Sequence, residues 1–247
     1  MLMCVADVHG RSFWKDATSN YINLVDKVIF LGDYVDRYEN EGISRNDELE
    51  NFKQIIDFKS KYNDKVILLL GNHCYHYIND DFPRSTRYSS SNAHAYRELY
   101  MQNINMFKVA HTEIVNDKTF LFTHAGVMRS WYNNHRDIIG DLTEDNLNNL
   151  MKSPQGCYAL STISKYRTYF GSESGSILWS DLREKIDLKS SNDDNIIINQ
   201  DSVVEEFDYQ IFGHTQLVDK PIITDKWACL DCRKAFLIND EGEIKQV

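Results

Sequence analysis

The sequence has little proline, no long apolar run and no excess of positive charge. Only three prolines and 11 glycines occur among its 247 residues, so no proline- or glycine-rich linker divides the chain. Its longest apolar runs, such as VILLL at 66–70, are far shorter than the about 20 residues that cross a bilayer. We therefore expect a globular protein without a membrane segment.

Acidic residues outnumber basic residues by 37 to 27, which gives a formal net charge of −10. A field of this sign disfavours duplex nucleic acid and anionic membrane surfaces, so we expect neither as a partner. Five scattered cysteines do not form the pattern of a disulfide framework, and the first residues lack the basic stretch of a signal peptide. These features predict a cytoplasmic protein.

Short apolar runs alternate with helical patterns along the chain. Five of these runs resemble buried strands, at 2–6, 28–31, 66–70, 119–123 and 209–212. Capping signals at Ser44 and Thr143 predict two of the intervening helices, and Ser202 begins a third pattern of this kind. The alternation predicts an α/β fold with largely parallel strands, closed by an antiparallel run of strands within 222–247.

The domain prediction is one domain over residues 1–247. A helical and loop region at about 75–110 looks inserted near the active site, with a helix predicted over 92–106. Its tyrosines fit helical core packing better than a surface for stacking bases. The stretch 187–201, rich in Asn, Asp and Ser, is predicted to be a solvated loop.

Side chains that can bind metals follow all five predicted strands. They are Asp7, His9, Asp33, Asn72, His124 and His214. Ligands of open α/β sheets bind at the carboxyl ends of the strands, where these residues would meet. One histidine after a strand is more often a hydrogen-bonding residue, but a metal-binding type at five strand ends is hard to explain by chance. The mixture of carboxylate, amide and imidazole suits Mn, Fe or Zn.

The motifs at these positions resemble those of the calcineurin-like metallophosphoesterases. The motifs are D-x-H-G at 7–10, GDYVDR at 32–37, GNH at 71–73, HAG at 124–126 and GHT at 213–215. The phosphoprotein phosphatase branch is the most similar one, since ILWSD at 177–181 also resembles a protein phosphatase segment. The resemblance implies two packed mixed β-sheets flanked by helices, an αββα sandwich.

The resemblance also implies a centre of two divalent ions, with Mn expected and Fe or Zn as alternatives. Asp7, His9 and Asp33 would hold one ion. Asp33, Asn72, His124 and His214 would hold the other, so that Asp33 bridges the pair. Two ions about 3.5–4 Å apart can produce hydroxide near neutral pH, which would attack phosphorus in line.

Three further residues receive catalytic roles from the same resemblance. His73 is the expected general acid, Asp36 would orient it and raise its proton affinity, and Arg37 would bind phosphate oxygens together with Asn72. Arg183 and Arg97 are candidates for a second phosphate-binding arginine. The simpler alternatives are a surface ion pair for Asp36 and Arg37, and a packed core histidine for His73.

Two departures from the family pattern, Tyr38 and Cys74, put the substrate class in doubt. Tyr38 stands where the phosphatase branch usually has glycine, and Cys74 stands where it usually has glutamate at the pocket rim. Gln216 stands where many phosphodiesterases of the superfamily have a histidine. The missing imidazole favours the phosphatase branch, and looser binding of the first ion is the alternative. None of these changes removes a predicted ligand.

Three functions remain open from the sequence. A serine/threonine-type protein phosphatase or related phosphomonoesterase is favoured, acting on a phosphorylated protein or peptide. A diadenosine tetraphosphate hydrolase, acting on a nucleotide substrate, uses the same metals. An inactive metal-binding scaffold is a remote alternative, because it predicts missing ligands or a missing acid, and neither is missing.

Overall fold

The computed structural model describes residues 1–191 and 196–247. The strands are β1 (Leu2–Val5), β2 (Lys27–Phe30), β3 (Val66–Leu69), β4 (Phe107–Lys108), β5 (Ala110–Val115), β6 (Lys118–Thr123), β7 (Tyr209–Phe212), β8 (Ile222–Ile223), β9 (Trp227–Cys229), β10 (Ala235–Ile238) and β11 (Ile244–Gln246). The helices are α1 (Phe13–Tyr21), α2 (Arg45–Tyr62), α3 (Asn72–Ile78), α4 (Ala93–Gln102), α5 (Arg129–Asn134), α6 (Arg136–Ile139), α7 (Glu144–Asn149), α8 (Pro154–Leu160) and α9 (Leu182–Lys185). No helix in the described part of the chain is both long and apolar enough to span a membrane.

Two compact units make up the described chain. The first comprises Met1–Lys108 and Cys232–Val247, and the second comprises Val109–Asp231. Each unit is built around its own β-sheet. The single domain and the insertion at 75–110 stay predictions.

The first unit contains a six-stranded sheet in the order β11-β10-β1-β2-β3-β4. Strands β1 to β4 are parallel, whereas β10 runs antiparallel to both β1 and β11. All four residues of β1 and all four of β3 are buried. Parallel strands that are covered on both faces require uninterrupted apolar runs. For this reason β1 and β3 could be recognised in the sequence.

The second unit contains a five-stranded sheet in the order β5-β6-β7-β9-β8. Strands β5 and β6 form a hairpin whose two turn residues, Asn116 and Asp117, both have positive φ, as a tight hairpin turn requires. Strands β6, β7 and β9 are parallel, and β8 is antiparallel to β9. The two mixed sheets with flanking helices confirm the predicted fold class.

The predicted closing run of antiparallel strands is only partly correct. The strands exist, but β8 and β9 belong to the second unit and β10 and β11 to the first. Moreover, β9 pairs in parallel with β7. Residue patterns identify a strand, but the choice of partner depends on contacts distant in sequence, and the sequence did not show these.

The two strongest helix signals are confirmed. The side chain of Ser44 accepts a hydrogen bond from Asp47 N at the start of α2, and Thr143 caps α7 in the same way. The helix predicted over 92–106 ends at Gln102 and is followed by a 3₁₀ turn at Ile104–Met106.

The helix predicted to start at Ser202 is wrong. A 3₁₀ turn, Gln200–Ser202, ends at this residue instead, and the next regular element is β7. Too few residues separate the turn from the strand for a helix to gain from cooperative hydrogen bonding. The predicted loop over 187–201 lies partly outside the described residues.

Tyrosines of the 75–110 region pack in the core of the first unit. Tyr75, Tyr77, Tyr96 and Tyr100 are at most 2% exposed. The ring of Tyr100 packs against Phe52 of α2 at a centroid distance of 4.6 Å. Core packing, rather than a surface for stacking bases, is therefore confirmed for these four.

A pH-dependent contribution to stability is expected at His111 on β5. Its Nε2 lies 2.8 Å from Glu113 Oε1 and its Nδ1 lies 3.2 Å from Glu144 Oε1. Burial lowers the pKa of His111, but the hydrogen bonds and charges of the two glutamates outweigh burial and raise the pKa overall. The stabilisation is therefore complete below the unfolded-state pKa, about 6.5, and is lost as pH rises through the folded-state pKa.

We expect His111→Gln to lower the free energy of unfolding at about pH 6 by up to about 1 kcal/mol more than at about pH 8.5. Urea denaturation at both pH values measures the difference. His94→Gln, at an exposed position of α4, is the matched control. An equal loss of stability at both pH values would contradict the charge argument.

Candidate active site

Four predicted ligands meet at one edge of the sheet in the first unit. Asp7 and His9 follow β1, Asp33 follows β2, and Asn72 opens α3 directly after β3. These three strands are parallel neighbours in the order β1-β2-β3, so their carboxyl ends lie side by side. The sheet thereby brings residues distant in sequence to a common edge.

Asp7, His9 and Asp33 form a group that can hold a metal ion. Each offers one ligand atom, and these atoms lie within 4.8 Å of one another. The residues are 1%, 3% and 2% exposed, respectively. Two buried carboxylates are costly unless a cation compensates their charge, and the combination with imidazole is suitable for a divalent ion. The residues present therefore fit the predicted metal.

The orientation of the His9 ring suits a ligand role. His9 Nδ1 donates to the carbonyl oxygen of Val35 at 2.7 Å, which places the lone pair on Nε2. Burial lowers the pKa of His9 well below its usual value, although the charge of Asp33 acts in the opposite direction. The imidazole is therefore neutral, as a metal ligand must be.

The backbone is strained at the three residues of this group. Asp7, His9 and Asp33 have φ values of 41°, 44° and 50°, in the left-handed region that disfavours residues other than glycine. The amide of His9 donates to the carbonyl oxygen of Asp33 at 2.7 Å and joins the two segments. Strain of this kind persists where the surrounding structure fixes it, which is typical of functional sites.

Asp33 also connects the ligand group to the predicted acid. Its Oδ1 accepts a hydrogen bond from the backbone amide of His73 at 2.9 Å. Cys74 lies fully buried beside the same oxygen, with its Sγ 3.9 Å away, and not at a pocket rim as expected from the sequence. Burial and the charge of Asp33 raise the pKa of Cys74 to about 12, so Cys74 remains a neutral thiol.

His73 and Asp36 form the expected buried pair. His73 Nδ1 donates to Asp36 Oδ2 at 2.8 Å, and Ser85 Oγ lies 2.7 Å from the same nitrogen. The hydroxyl of Tyr77 donates to the other oxygen of Asp36. Burial alone would raise the pKa of Asp36, but the hydrogen bond of His73 and the nearby His76 lower it to about 2. Asp36 is therefore ionised throughout the physiological range.

The proton affinity of His73 differs from the expectation. Burial lowers the pKa of His73, and it outweighs the opposite effects of Asp33 and Asp36. Asp36 does raise the proton affinity, as predicted, but not enough to compensate for the loss of solvent. The alternative of a surface ion pair for Asp36 and Arg37 is wrong for Asp36, which is 2% exposed and bonded to His73.

His76 is a second buried histidine of α3 beside Asp36. It is 2% exposed, and its Nε2 lies 2.9 Å from Asp36 Oδ2 without hydrogen-bond geometry. The amide of Ser85 donates to His76 Nδ1 at 3.3 Å. Residues three apart share a face of a helix. The spacing of His73 and His76 on α3 therefore indicates from the sequence that His76 also lies near Asp36.

Arg87 is the residue at this site that the sequence reasoning missed. Its Nε donates to the carbonyl oxygen of Asp36 at 2.9 Å. Its Nη2 lies 3.2 Å from His9 Nε2 and 3.3 Å from His73 Nε2. The guanidinium stacks on Tyr38, with Cζ 3.8 Å from the ring centroid, which gives the unusual Tyr38 a structural role. Arg87 carries no motif, and no sequence signal marks it.

Of the predicted phosphate-binding arginines, Arg37 alone lies beside the acid pair. Its Nε is buried and makes no hydrogen bond within the described part of the chain. Arg97 pairs with Asp80 at 2.8 Å on the surface of the first unit. In the second unit, Arg183 pairs with Asp181 at 2.7 Å. Their predicted substrate role stays a prediction.

The second unit brings its two predicted ligands together. His124 follows β6 and His214 follows β7, which are parallel neighbours. His124 Nε2 lies 3.0 Å from His214 Nδ1, and the amide of Gly213 donates to the carbonyl oxygen of His124 at 2.8 Å. His214 has a φ of 68°, the same strained region as in the first unit. Two imidazole nitrogens this close can bind one divalent ion.

A sequence profile decides the family. The profile of the calcineurin-like phosphoesterases matches residues 2–217. The chain belongs to the calcineurin-like phosphoesterase family. Membership makes this phosphoesterase a metal-dependent hydrolase of phosphoric esters, in a family that uses a dinuclear metal centre. The resemblance recognised from the motifs is thereby confirmed.

Solved structures show the same fold. A cold-active protein tyrosine phosphatase superposes with a TM-score of 0.58 at 16% identity, covering 99% of this chain and 78% of the other. A protein serine/threonine phosphatase from Saccharomyces cerevisiae, described as similar to human phosphatase PP5, gives 0.56 at 12% identity with the same coverage. No curated protein matches the sequence significantly. At these identities the likeness concerns the fold alone.

Proposed function

We propose that this phosphoesterase is a metal-dependent phosphomonoesterase of the serine/threonine protein phosphatase type. The observation that carries the proposal is the hydrogen bond of 2.9 Å from His73 N to Asp33 Oδ1. It places an imidazole held by a buried carboxylate directly beside a group of metal ligands. That combination serves hydrolysis of an ester whose leaving group needs a proton.

The metal assignment begins with the ligand group of the first unit. Asp7, His9 and Asp33 would hold one ion, and His124 and His214 would supply imidazoles for the other. The part of Asn72 and the bridging part of Asp33 stay predictions from the sequence. Bound divalent ions lower the pKa of a water and neutralise negative charge on phosphate oxygens. We propose Mn as the metal, with Fe or Zn as alternatives.

The residues of the chain supply proton transfer and substrate orientation. Asp36 holds His73 Nδ1, so that His73 Nε2 is the atom that gives a proton to the leaving oxygen. Arg37, with its buried Nε, offers a planar fork to two phosphate oxygens. Arg87, in contact with His9 Nε2 and His73 Nε2, would bind the same phosphate.

A second candidate function is hydrolysis of diadenosine tetraphosphate. The observation in its favour is a cavity beside Asp36 that is lined by three arginines, Arg37, Arg45 and Arg87. The consecutive phosphates of such a substrate could be bound by these arginines. Chromatography of the products from diadenosine tetraphosphate distinguishes this activity from phosphomonoester hydrolysis.

We also propose a cytoplasmic location. Cys4 and Cys74 are buried free thiols. Free buried thiols agree with a reducing compartment.

The test of the proposed function is turnover by the Mn-loaded protein. We expect hydrolysis of p-nitrophenyl phosphate and of a phosphoserine peptide, with release of inorganic phosphate. His73→Ala serves as the reference for background. Turnover of the peptide no faster than that of this variant would contradict the proposal.

A further inference from the structure

A cavity of about 350 Å³ lies in the first unit beside the proposed acid pair. Its lining includes Asp36 and three arginines, Arg37, Arg45 and Arg87. The arginines come from three separate segments: the loop after β2, the first residue of α2, and the stretch between α3 and α4. Guanidinium groups gathered beside one cavity favour a bound anion, because each can donate charge-assisted hydrogen bonds to it.

The internal contacts of the arginines hold them around the cavity. Arg45 Nη1 donates to Ser89 Oγ at 2.7 Å, and Arg87 Nε donates to the carbonyl oxygen of Asp36 at 2.9 Å. Arg37 Nε is buried without a hydrogen bond among the described residues. A buried donor of this kind is costly, and a bound anion would satisfy it.

Carboxylates also line the cavity, but two of them are directed at internal donors. Asp36 accepts hydrogen bonds from His73 and Tyr77. Glu48 Oε1 accepts the backbone amide of Arg37 at 2.8 Å, and burial raises the pKa of Glu48. Glu39 is exposed. With Asp36 and Glu48 engaged by internal donors, three guanidinium groups remain against the single carboxylate of Glu39, so an anion would meet more positive than negative charge.

The location of the cavity indicates which part of a substrate would occupy it. Asp36 and Arg87 line the cavity, and both contact the ring of His73. Because His73 is the proposed donor to the leaving oxygen, the cavity lies on the leaving-group side. Arg37 and Arg87, which would also contact the phosphate under attack, therefore lie between the two groups. The part of the cavity at Arg45 would receive a group carried by the leaving group.

We propose that this cavity binds a second phosphate group, carried by the leaving group of the substrate. The inference rests on the proposed function and specifies its substrate class. In the reaction, the water oxygen bonds to phosphorus and loses its proton to solvent. The P–O bond to the leaving group breaks, and the leaving oxygen takes the proton of His73 Nε2. The second phosphate remains intact and departs with the leaving group.

Arg45→Ala is the variant that tests this inference. Arg45 is exposed at the start of α2 and has no part in the proposed proton transfer or metal binding. We expect kcat/KM for a substrate with a second phosphate to fall about 10- to 100-fold, mainly through KM, as for a lost charge-assisted hydrogen bond. Turnover of p-nitrophenyl phosphate should stay within about 2-fold of the wild-type value. An equal loss of kcat/KM on all substrates is expected only for residues that act on the attacked phosphate.

Two substrates distinguish the possible sources of the second phosphate. One is a peptide with two neighbouring phosphoserines, compared with its singly phosphorylated form. The other is diadenosine tetraphosphate. Arg45→Lys should restore part of the lost kcat/KM. Arg136→Ala, which removes an exposed arginine of α6 in the second unit, is the matched control and should change nothing.

The outcomes separate this inference from the proposed function. An equal effect of Arg45→Ala on p-nitrophenyl phosphate and on both two-phosphate substrates, or no effect on any, would overturn the second phosphate site. Absence of all wild-type turnover would instead overturn the proposed function. In that case, calorimetric titration with pyrophosphate still tests the cavity, because Arg45→Ala must then bind it at least about 10-fold more weakly than the wild type.

Discussion

Asp33→Asn is expected to lower kcat/KM at least about 1,000-fold and to remove bound metal from the first unit. The amide keeps an oxygen that can accept the hydrogen bond of 2.9 Å from His73 N, so the position of α3 should be preserved. What the substitution removes is the negative charge that, with Asp7, compensates a divalent ion. Steady-state kinetics with Mn, combined with elemental analysis of the purified protein, measures both effects.

The control for Asp33→Asn is Asp26→Asn. Asp26 is exposed and pairs with the N-terminus, so its loss should leave kcat/KM and metal content unchanged. Circular dichroism and thermal denaturation of both variants show whether the fold is intact. An Asp33→Asn protein that folds and retains wild-type kcat/KM would exclude Asp33 as a ligand.

The second large effect is expected from His73→Asn, and it should depend on the substrate. Loss of a general acid costs about 10²- to 10⁴-fold when the leaving oxygen needs a proton. A phosphoserine peptide has such an oxygen, whereas p-nitrophenolate is stable as an anion and leaves without help. We therefore expect a large loss of kcat for the peptide and a much smaller loss for p-nitrophenyl phosphate.

Asp36 provides a further comparison for this prediction. Because Asp36 acts by holding His73 Nδ1, the double variant Asp36→Asn/His73→Asn should be no slower than His73→Asn alone. His94→Asn, at an exposed position, controls for loss of an imidazole. Equal losses on the two substrates would show that His73 does not donate a proton to the leaving group.

The ligands could be predicted because strand ends are local features of the sequence. Each predicted ligand follows a run of buried residues directly, and in a parallel sheet the ends of such runs lie at one edge. Asp7, His9 and Asp33 were found in this way, and their mutual proximity agrees with it. The same reasoning placed His124 beside His214.

Arg87 could not be predicted from strand ends. It lies in a segment without periodicity, and contacts distant in sequence bring it to His9 and His73. The stacking of Arg87 on Tyr38 explains why an aromatic residue follows Arg37, but this pairing spans a long loop and cannot be seen from either residue alone. The partners of β9 were missed for the same physical reason.

Elemental analysis of metal content tests the central claim most directly. After reconstitution with Mn and removal of excess metal, the wild-type chain should contain about two ions, as in other two-metal hydrolases. A variant with His124→Ala and His214→Ala should retain about one ion, bound by Asp7, His9 and Asp33. A wild-type protein that is folded but retains fewer than about one Mn, Fe or Zn ion per chain would contradict the account.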